Sequence, residues 1–379
     1  MPSPVLARQG AVAAPDGHPE AGVPWHFGDP FAEQRAAVRS AAVIDRSHRQ
    51  VLAVTGADRL SWLHLVISQH VTELTEGHGT EALILDSHGR VESHLVLAHT
   101  VIDGEPTVLL DTEAGAEITS ALPKAGKQSL LGYLDAMRFW SDVAVADVTD
   151  DWALLTLLGP HADVVLDGLG LDVDLDSARY AVASGAGIVA RRMPCPAPGG
   201  IDLFVPRAEL AEWWQRLVAA GAREAGSWAF DALRVESMRP RRGIDTDERT
   251  IPHEVGWIGR AAHVAKGCYR GQETVSKVFN VGRPPRNMLL LHLDGSQEIY
   301  PETGDPVRHG DRVVGRVGTV VQHHELGPIA LALIKRSVPM DAELVAGEED
   351  RAALAAIDPD SVPDEGPAPG RDAVQRLRG

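Results

Sequence analysis

The string Lys266-Gly267-Cys268-Tyr269-Arg270-Gly271-Gln272-Glu273 is the most informative in the chain. Two glycines four apart, around a Cys and a Tyr, predict a tight loop whose backbone approaches something closely. Cys268 lies between two cations, Lys266 and Arg270, which favour the thiolate, the reactive form of a cysteine. The plain alternative is a buried, inert Cys. The flanking charges and glycines point to function, so Cys268 is the candidate reactive thiol. Glu273 opens a run, Thr274–Phe279, that reads as helix or strand.

Around this loop the chain is unusually cationic. Residues 239–243 read Arg-Pro-Arg-Arg-Gly, and Lys266, Arg270, Lys277, Arg283 and Arg286 follow. Arginine suits two-point recognition of carboxylate or phosphate, so the segment from Glu236 to Arg286 is a candidate anion site. The plainer role is neutralisation of Asp231, Asp245, Asp247 and Glu248.

The rest of the composition narrows the class. The chain has 379 residues, too many for one ordinary core, and predicts two or three lobes. Its formal net charge of −17 argues against a broad nucleic-acid surface, which needs clustered Lys and Arg, but leaves room for one local basic pocket. No run approaches the about 18 apolar residues of a spanning helix, so no membrane insertion is expected. Two cysteines cannot build a disulfide framework or a four-thiolate metal site, and a reducing cytosol is the default. Cys195, in Met193-Pro194-Cys195-Pro196, reads as an incidental residue of a connecting loop. Sixteen histidines show no HExxH pattern, and no metal site is expected. GxGxxG after a strand, GxxxxGK[ST] and G-x-S-x-G are all missing, which moves nicotinamide enzymes, P-loop NTPases and common hydrolases out of the first rank.

Along the chain, residues 1–24 read as a disordered tail with too few large apolar groups to offset ordering entropy. Helices are expected over Asp29–Ser40, Asp58–Ile67, His161–Leu169, Arg207–Ala220 and Trp228–Met238. Strands are expected over Gln50–Thr55, Asp151–Leu157 and Ile201–Val205. Glu81–Leu85 and Val91–His99 flank a Gly-containing turn and predict a hairpin. The body runs over 25–286 as two lobes. Past Arg286, short strands with Gly turns predict a β-barrel lobe at 287–346. The acidic, Pro-rich segment 347–379 is expected to lack tertiary structure, apart from a marginal helix at Arg371–Leu377.

KGCYRGQE resembles the signature of YgfZ-type folate-binding proteins, in the glycine-cleavage T-protein superfamily that includes mitochondrial iron–sulfur assembly factors. VTGADRL (54–60), LDSHGRVESHLVL (85–97), Leu158-Gly159-Pro160-His161-Ala162, DLFVP (202–206), Arg234-Val235-Glu236 with Gly243-x-Asp245, Ile251-Pro252-His253-Glu254 and NVGRPPR (280–286) fall in the order that family expects. The resemblance covers roughly residues 25–340. It implies an α+β fold of three lobes with a small C-terminal β-barrel and a central pocket for tetrahydrofolate or a one-carbon derivative. It makes Glu236 the carboxylate for the pterin N–H groups. Arg239, Arg241, Arg242, Arg270 and Arg283 would hold the benzoylglutamate carboxylates, with Lys266, Tyr269, Gln272 and Glu273 completing the loop of Cys268.

Two features depart from the aminomethyltransferases of that superfamily. Their hairpin carries an acidic pair after the glycine turn, one Asp of which is needed for methylene transfer, and here Ser93 and His94 stand there. Met238 stands where many T-proteins have Gly. The first reading is therefore a cytoplasmic, tetrahydrofolate-binding accessory protein that supports iron–sulfur cluster assembly or repair, with iron–sulfur proteins or assembly factors as partners. A folate-dependent aminomethyltransferase and a non-catalytic partner-binding scaffold stay open beside it.

Overall fold

The structure is a computed structural model; it describes every residue except 1, 121–125, 172, 197–198, 281, 297 and 364–379. The first lobe is a five-stranded antiparallel sheet, in the order Ala144–Asp147, Gln50–Thr55, Glu105–Thr112, Val91–Ile102, His78–Leu85. Its hairpin turns at Asp86–Arg90, where the Asp86 carboxylate accepts the N–H groups of His88 and Arg90 at 2.8 Å each. Alternating apolar residues give the sheet two buried faces. On one, Leu52, Val54, Ala82, Ile84, Leu95 and Leu97 pack beneath the helices Arg59–Val66 and Leu130–Ala136. On the other, Val51, Ala98 and Leu109 meet Leu154, Val182, Val189 and Phe204 of the second lobe.

That second lobe is a six-stranded sheet built from two separated parts of the chain. Ala42–Asp45 belongs to it, pairing parallel with Arg223–Ala225, before the chain leaves to form the first lobe and returns as Trp152–Leu158. Helix Leu210–Ala219 covers its outer face with Trp213, Trp214 and Leu217. Strands Arg286–Leu293, Pro306–His309, Arg312–His323, Gly327–Lys335, Leu344–Ala346 and Ala353–Ile357 close into the third lobe, a barrel. Helix Ser227–Glu236 lies where all three meet, its Ala232 and Val235 packed with Leu83 and Val91 of the first lobe and Met288, Leu290 and Ile329 of the barrel. The α+β body with a small C-terminal β-barrel is the architecture expected from the sequence.

Both predicted tails need correction. Residues 3–24 are folded onto the body: Ser3 N–H donates to Gly22 at 2.7 Å, Val5 joins the core of the second lobe, and Trp25 stacks on Trp228 at 4.5 Å. Counting large apolar groups misses this, because the segment is also fixed by two buried polar residues, Ser3 hydrogen-bonded to Asp45 and Glu20 ion-paired to Arg241. At the other end the barrel runs past 346. Ala353, Ala355 and Ile357 point inward on a strand that pairs with both Arg286–Leu293 and Leu344–Ala346. Alanine is a poor strand former, so this run carried little sequence signal. The helix expected at Arg371–Leu377 lies outside the described residues.

Candidate functional site

A central cavity opens between the lobes, lined by Arg46, His48, Arg49, Glu81, His94, Cys195, Phe230, Arg239, Arg241, Arg242, Trp257 and Arg260 among others. The first and second sheets supply one wall. The segment Arg239–Arg242, turned back after helix Ser227–Glu236 at Met238 (φ +53°), supplies another. Glu20 reaches in from the N-terminal segment.

Its charges are buried and mostly paired. Arg241 contacts Glu20, Glu113 at 2.8 Å and Asp231 at 3.5 Å, and Arg49 contacts Asp111 at 2.8 Å and Glu113 at 2.7 Å. Arg191 bridges Asp111 at 2.6 Å and Asp202 at 2.7 Å. Burial alone would raise the Glu20 carboxyl, yet Arg241 and His48 hold it down at about 2. The same opposition holds Glu113 far below, and Arg241 far above, their ordinary ranges. Three cavity-lining donors or acceptors are buried without a hydrogen bond among the described residues: His48 Nδ1, Trp257 Nε1 and Arg260 Nε. Arg242 makes no ion pair among the described residues, and burial lowers its pKa. Apolar faces come from Trp257 and from Phe230, over which Arg46 lies at 4.2 Å. The open space is only about 80 Å³, because these side chains fill the rest.

The residues singled out in the sequence fall into separate places. Arg239, Arg241 and Arg242 line the cavity. Glu236 does not: it is half-exposed at the end of its helix, with His323 Nε2 3.3 Å away and its carboxyl lowered chiefly by His323. One residue of helix turns through about 100°, which sends Glu236 to the barrel side while Asp231 and Arg234 face the buried charges.

Lys266 is buried and is no anion ligand. Its ammonium donates to the carbonyls of His64, Ile67 at 2.7 Å and Gln69 at 3.0 Å, capping the end of helix Arg59–Val66, and burial pushes its pKa down to about 8. Tyr269 is buried in the junction core, which pushes its phenol up to about 12. Gln272 donates to Lys266 at 2.8 Å. Arg270 donates to Thr119 at 2.6 Å and lies 3.6 Å from Glu92. Glu273 is exposed in the first turn of helix Gln272–Asn280. Arg283 lines a different cleft, with Arg249, Arg316 and Lys335.

The loop therefore uses its polar side chains to fasten itself and leaves Cys268 exposed. The close approach expected of its glycines occurs at Gly271 alone. Gly271 has φ +78° and faces Gly89 of the hairpin turn, at φ +79°, so closely that a Cβ would lie 2.5 Å from Asp86 O. Around Gly267 nothing lies within 4 Å.

Sequence reasoning missed Glu81, Glu113, Arg46, Arg49, Trp257 and Arg260, and set Cys195 aside although it lines the cavity. The available signal for Glu81 was a lone carboxylate at the head of the apolar run ALIL in its strand, HGTEALIL. No grouping of His, Cys, Asp and Glu with metal-ligand geometry occurs among the described residues.

The sequence matches the GCVT N-terminal domain over residues 4–266. The chain belongs to that family, within the glycine-cleavage T-protein superfamily. Curated relatives named "Aminomethyltransferase" agree. The one from Rubrobacter xylanophilus is 32% identical over 64% of this chain and 63% of its own length. Those from Streptomyces coelicolor and Geobacillus kaustophilus are 26% and 28% identical over 82% and 88% of this chain, and 83% and 89% of their own. The solved T-protein "glycine cleavage system aminomethyltransferase T" from Bartonella henselae superposes with a TM-score of 0.77 at 18% identity, covering 93% of this chain and 94% of its own. At that identity the likeness shows the T-protein fold. The match beginning at residue 4 agrees with an N-terminal segment that is part of the body.

Proposed function

We propose that this chain binds tetrahydrofolate, or a one-carbon derivative, in the central cavity as a YgfZ-type accessory protein supporting iron–sulfur cluster assembly or repair. The observation that carries the reading is the pair at the hairpin. Ser93 is fully buried, its Oγ 3.1 Å from Thr112 Oγ1, and His94 faces the cavity where the resemblance expects a carboxylate. A hydroxyl and an imidazole do not supply the fixed negative charge that methylene transfer needs there. Cys268 of the KGCYRGQE loop is exposed and free to react with a partner. Free thiols at Cys195 and Cys268 suit a reducing cytoplasm.

The cavity's residues fit the ligand chemically. Arg242 and Arg239 would hold the carboxylates of the tail, Trp257 would face the pterin ring, and the Trp257 Nε1–H and Arg260 Nε–H, which make no hydrogen bond among the described residues, would meet its acceptors. Tetrahydrofolate supplies, when bound, the nitrogens that carry a one-carbon unit. Because the open space is about 80 Å³, binding requires Glu20 and its neighbours to move aside.

Titrating the purified protein with tetrahydrofolate without oxygen, by tryptophan fluorescence, tests the reading. Saturable binding weakened by Arg242→Ala supports it, and no binding by the wild type removes it. In cells lacking the protein, iron–sulfur enzyme activity should fall and should return with the wild type but not with Cys268→Ala. Full rescue by Cys268→Ala would exclude the thiol.

A second reading, an active aminomethyltransferase, is favoured by one contact: Glu81 Oε2 lies 2.8 Å from His94 Nε2 and could stand in for the missing acid. Release of ammonia and methylenetetrahydrofolate from an aminomethyl-lipoyl donor would establish it in place of the accessory role.

A further inference from the structure

Strands His78–Leu85 and Val91–Ile102 pair Leu83 with His94 and Glu81 with Val96, which makes Glu81 and His94 diagonal neighbours on the face toward the cavity. His94 Nε2 lies 2.8 Å from Glu81 Oε2. The imidazole stacks flat on Trp257, with ring centroids 5.0 Å apart and planes 12° apart. Glu81 also accepts from Arg239 at 2.7 Å and from the Tyr180 hydroxyl, and Arg260 Nε is 3.3 Å away. Cys195 shares the wall. Burial opposes a charge on Glu81, but His94, Arg260 and Arg239 outweigh it and keep the carboxylate ionised.

This arrangement fixes the histidine's tautomer. Glu81 can only accept, hence in the neutral imidazole Nε2 carries the proton and Nδ1 keeps its lone pair. Nδ1 has no hydrogen bond to the described residues. Stacking on Trp257 and bonding to Glu81 together leave the ring little freedom to turn.

We propose that His94, oriented by Glu81, is the hydrogen-bond acceptor of the central cavity, its Nδ1 lone pair receiving an amine N–H of the bound ligand. The ligand nitrogen keeps its proton, and no covalent bond forms or breaks. The ligand class is a reduced heterocycle or amine with an N–H at the cavity floor, and the assignment rests on the cavity being the ligand site. It also explains how a hairpin without an acidic pair can still present an acceptor: the carboxylate comes from the neighbouring strand and acts by orienting the imidazole.

Two measurements on the full chain test this. Two-bond proton–nitrogen spectra of histidine-labelled protein, assigned with His94→Phe, report which ring nitrogen is protonated without any ligand. Nε2–H with bare Nδ1 near pH 7.5, lost in Glu81→Leu, is expected. A proton on Nδ1 at that pH overturns the proposal whether or not folate binds. Tetrahydrofolate is then titrated at pH 7.5. His94→Phe keeps the stack on Trp257 and should bind about tenfold more weakly than the wild type, the size of one good hydrogen bond. Binding by the variant as tight as the wild type's overturns the hydrogen-bonding role. No wild-type binding removes the folate reading, and the spectra alone then decide the His94–Glu81 pair.

Discussion

Gly267 and Gly271 flank the same cysteine, yet an added methyl group should have opposite consequences at the two. At Gly271 the backbone is left-handed, which costs an L-residue about 1–2 kcal/mol. The new Cβ would also lie 2.5 Å from Asp86 O, 2.7 Å from Gly89 Cα and 2.8 Å from Gly89 N. These are backbone atoms of a turn pinned by the Asp86 carboxylate, so they yield little, and overpacking of this kind costs about 1–3 kcal/mol. Gly271→Ala should therefore destabilise the protein by about 2–5 kcal/mol. At Gly267 the backbone is not left-handed and nothing lies within 4 Å, so Gly267→Ala should change stability by no more than about 0.5 kcal/mol. Urea unfolding followed by tryptophan fluorescence reads both. Proteolysis near residue 270 adds a local readout, since a displaced loop is cut faster. Equal midpoints for the two variants would show that the Gly89–Gly271 contact does not hold the loop, and the account of its close approach would be wrong.

Four further outcomes follow from the geometry. Both ring nitrogens of His253 are buried without a hydrogen-bond partner among the described residues, and burial pushes its pKa from 6.5 to about 4. An unfolded chain takes up this proton below pH 6.5 while the folded chain refuses it until about pH 4, so stability falls with pH across that window. His253→Leu should gain about 2 kcal/mol relative to wild type between pH 7.5 and 4.5, after allowance for partial solvation, and a constant difference would refute the linkage. Glu20→Ala removes one of three carboxylates from Arg241. It should cost about 1–3 kcal/mol in urea unfolding and tighten tetrahydrofolate several-fold; unchanged affinity would show that Glu20 does not obstruct the cavity. Glu236→Gln, outside the cavity, should leave folate affinity within about twofold, and a tenfold loss would return it to the site. Cys268→Ser should shift the unfolding midpoint negligibly, by less than about 0.5 kcal/mol, because the thiol is exposed.

What the sequence disclosed depended on whether a signal was local. The hairpin around Gly89, the helix that opens after Asp58 and the apolar stripe of Leu210, Trp213, Trp214 and Leu217 each declare themselves within a few residues, and the structure has all three elements, although the Asp58 carboxylate bonds Asp142 N–H and does not cap its helix. The string KGCYRGQE marked its loop, but could not show that Lys266 and Gln272 fasten it from within. Arg239–Arg242 was visible as a cluster. Its partners Glu20, Glu81 and Glu113 were not, since each is a lone acid far away in sequence. Glu236 was misplaced because adjacent helical residues face different lobes, a distinction that composition cannot make. Cys195, between prolines, looked like mere connection until the second sheet brought it to the cavity wall.

Glu20 and Arg241 are separated by 221 residues. A ribosome adding about 5–20 residues per second completes Glu20 roughly 10–40 s before its partner guanidinium exists. During that interval the first lobe can be made in full, while the cavity lacks the segment Arg239–Arg242, Trp257 and Arg260. The cavity is thus completed well after its first wall has been laid down near the start. A nascent chain stalled before Arg239 would present a folded first sheet beside buried carboxylates that lack their guanidinium partners, a fault that a quality-control protease could detect before the loop of Cys268 has been made.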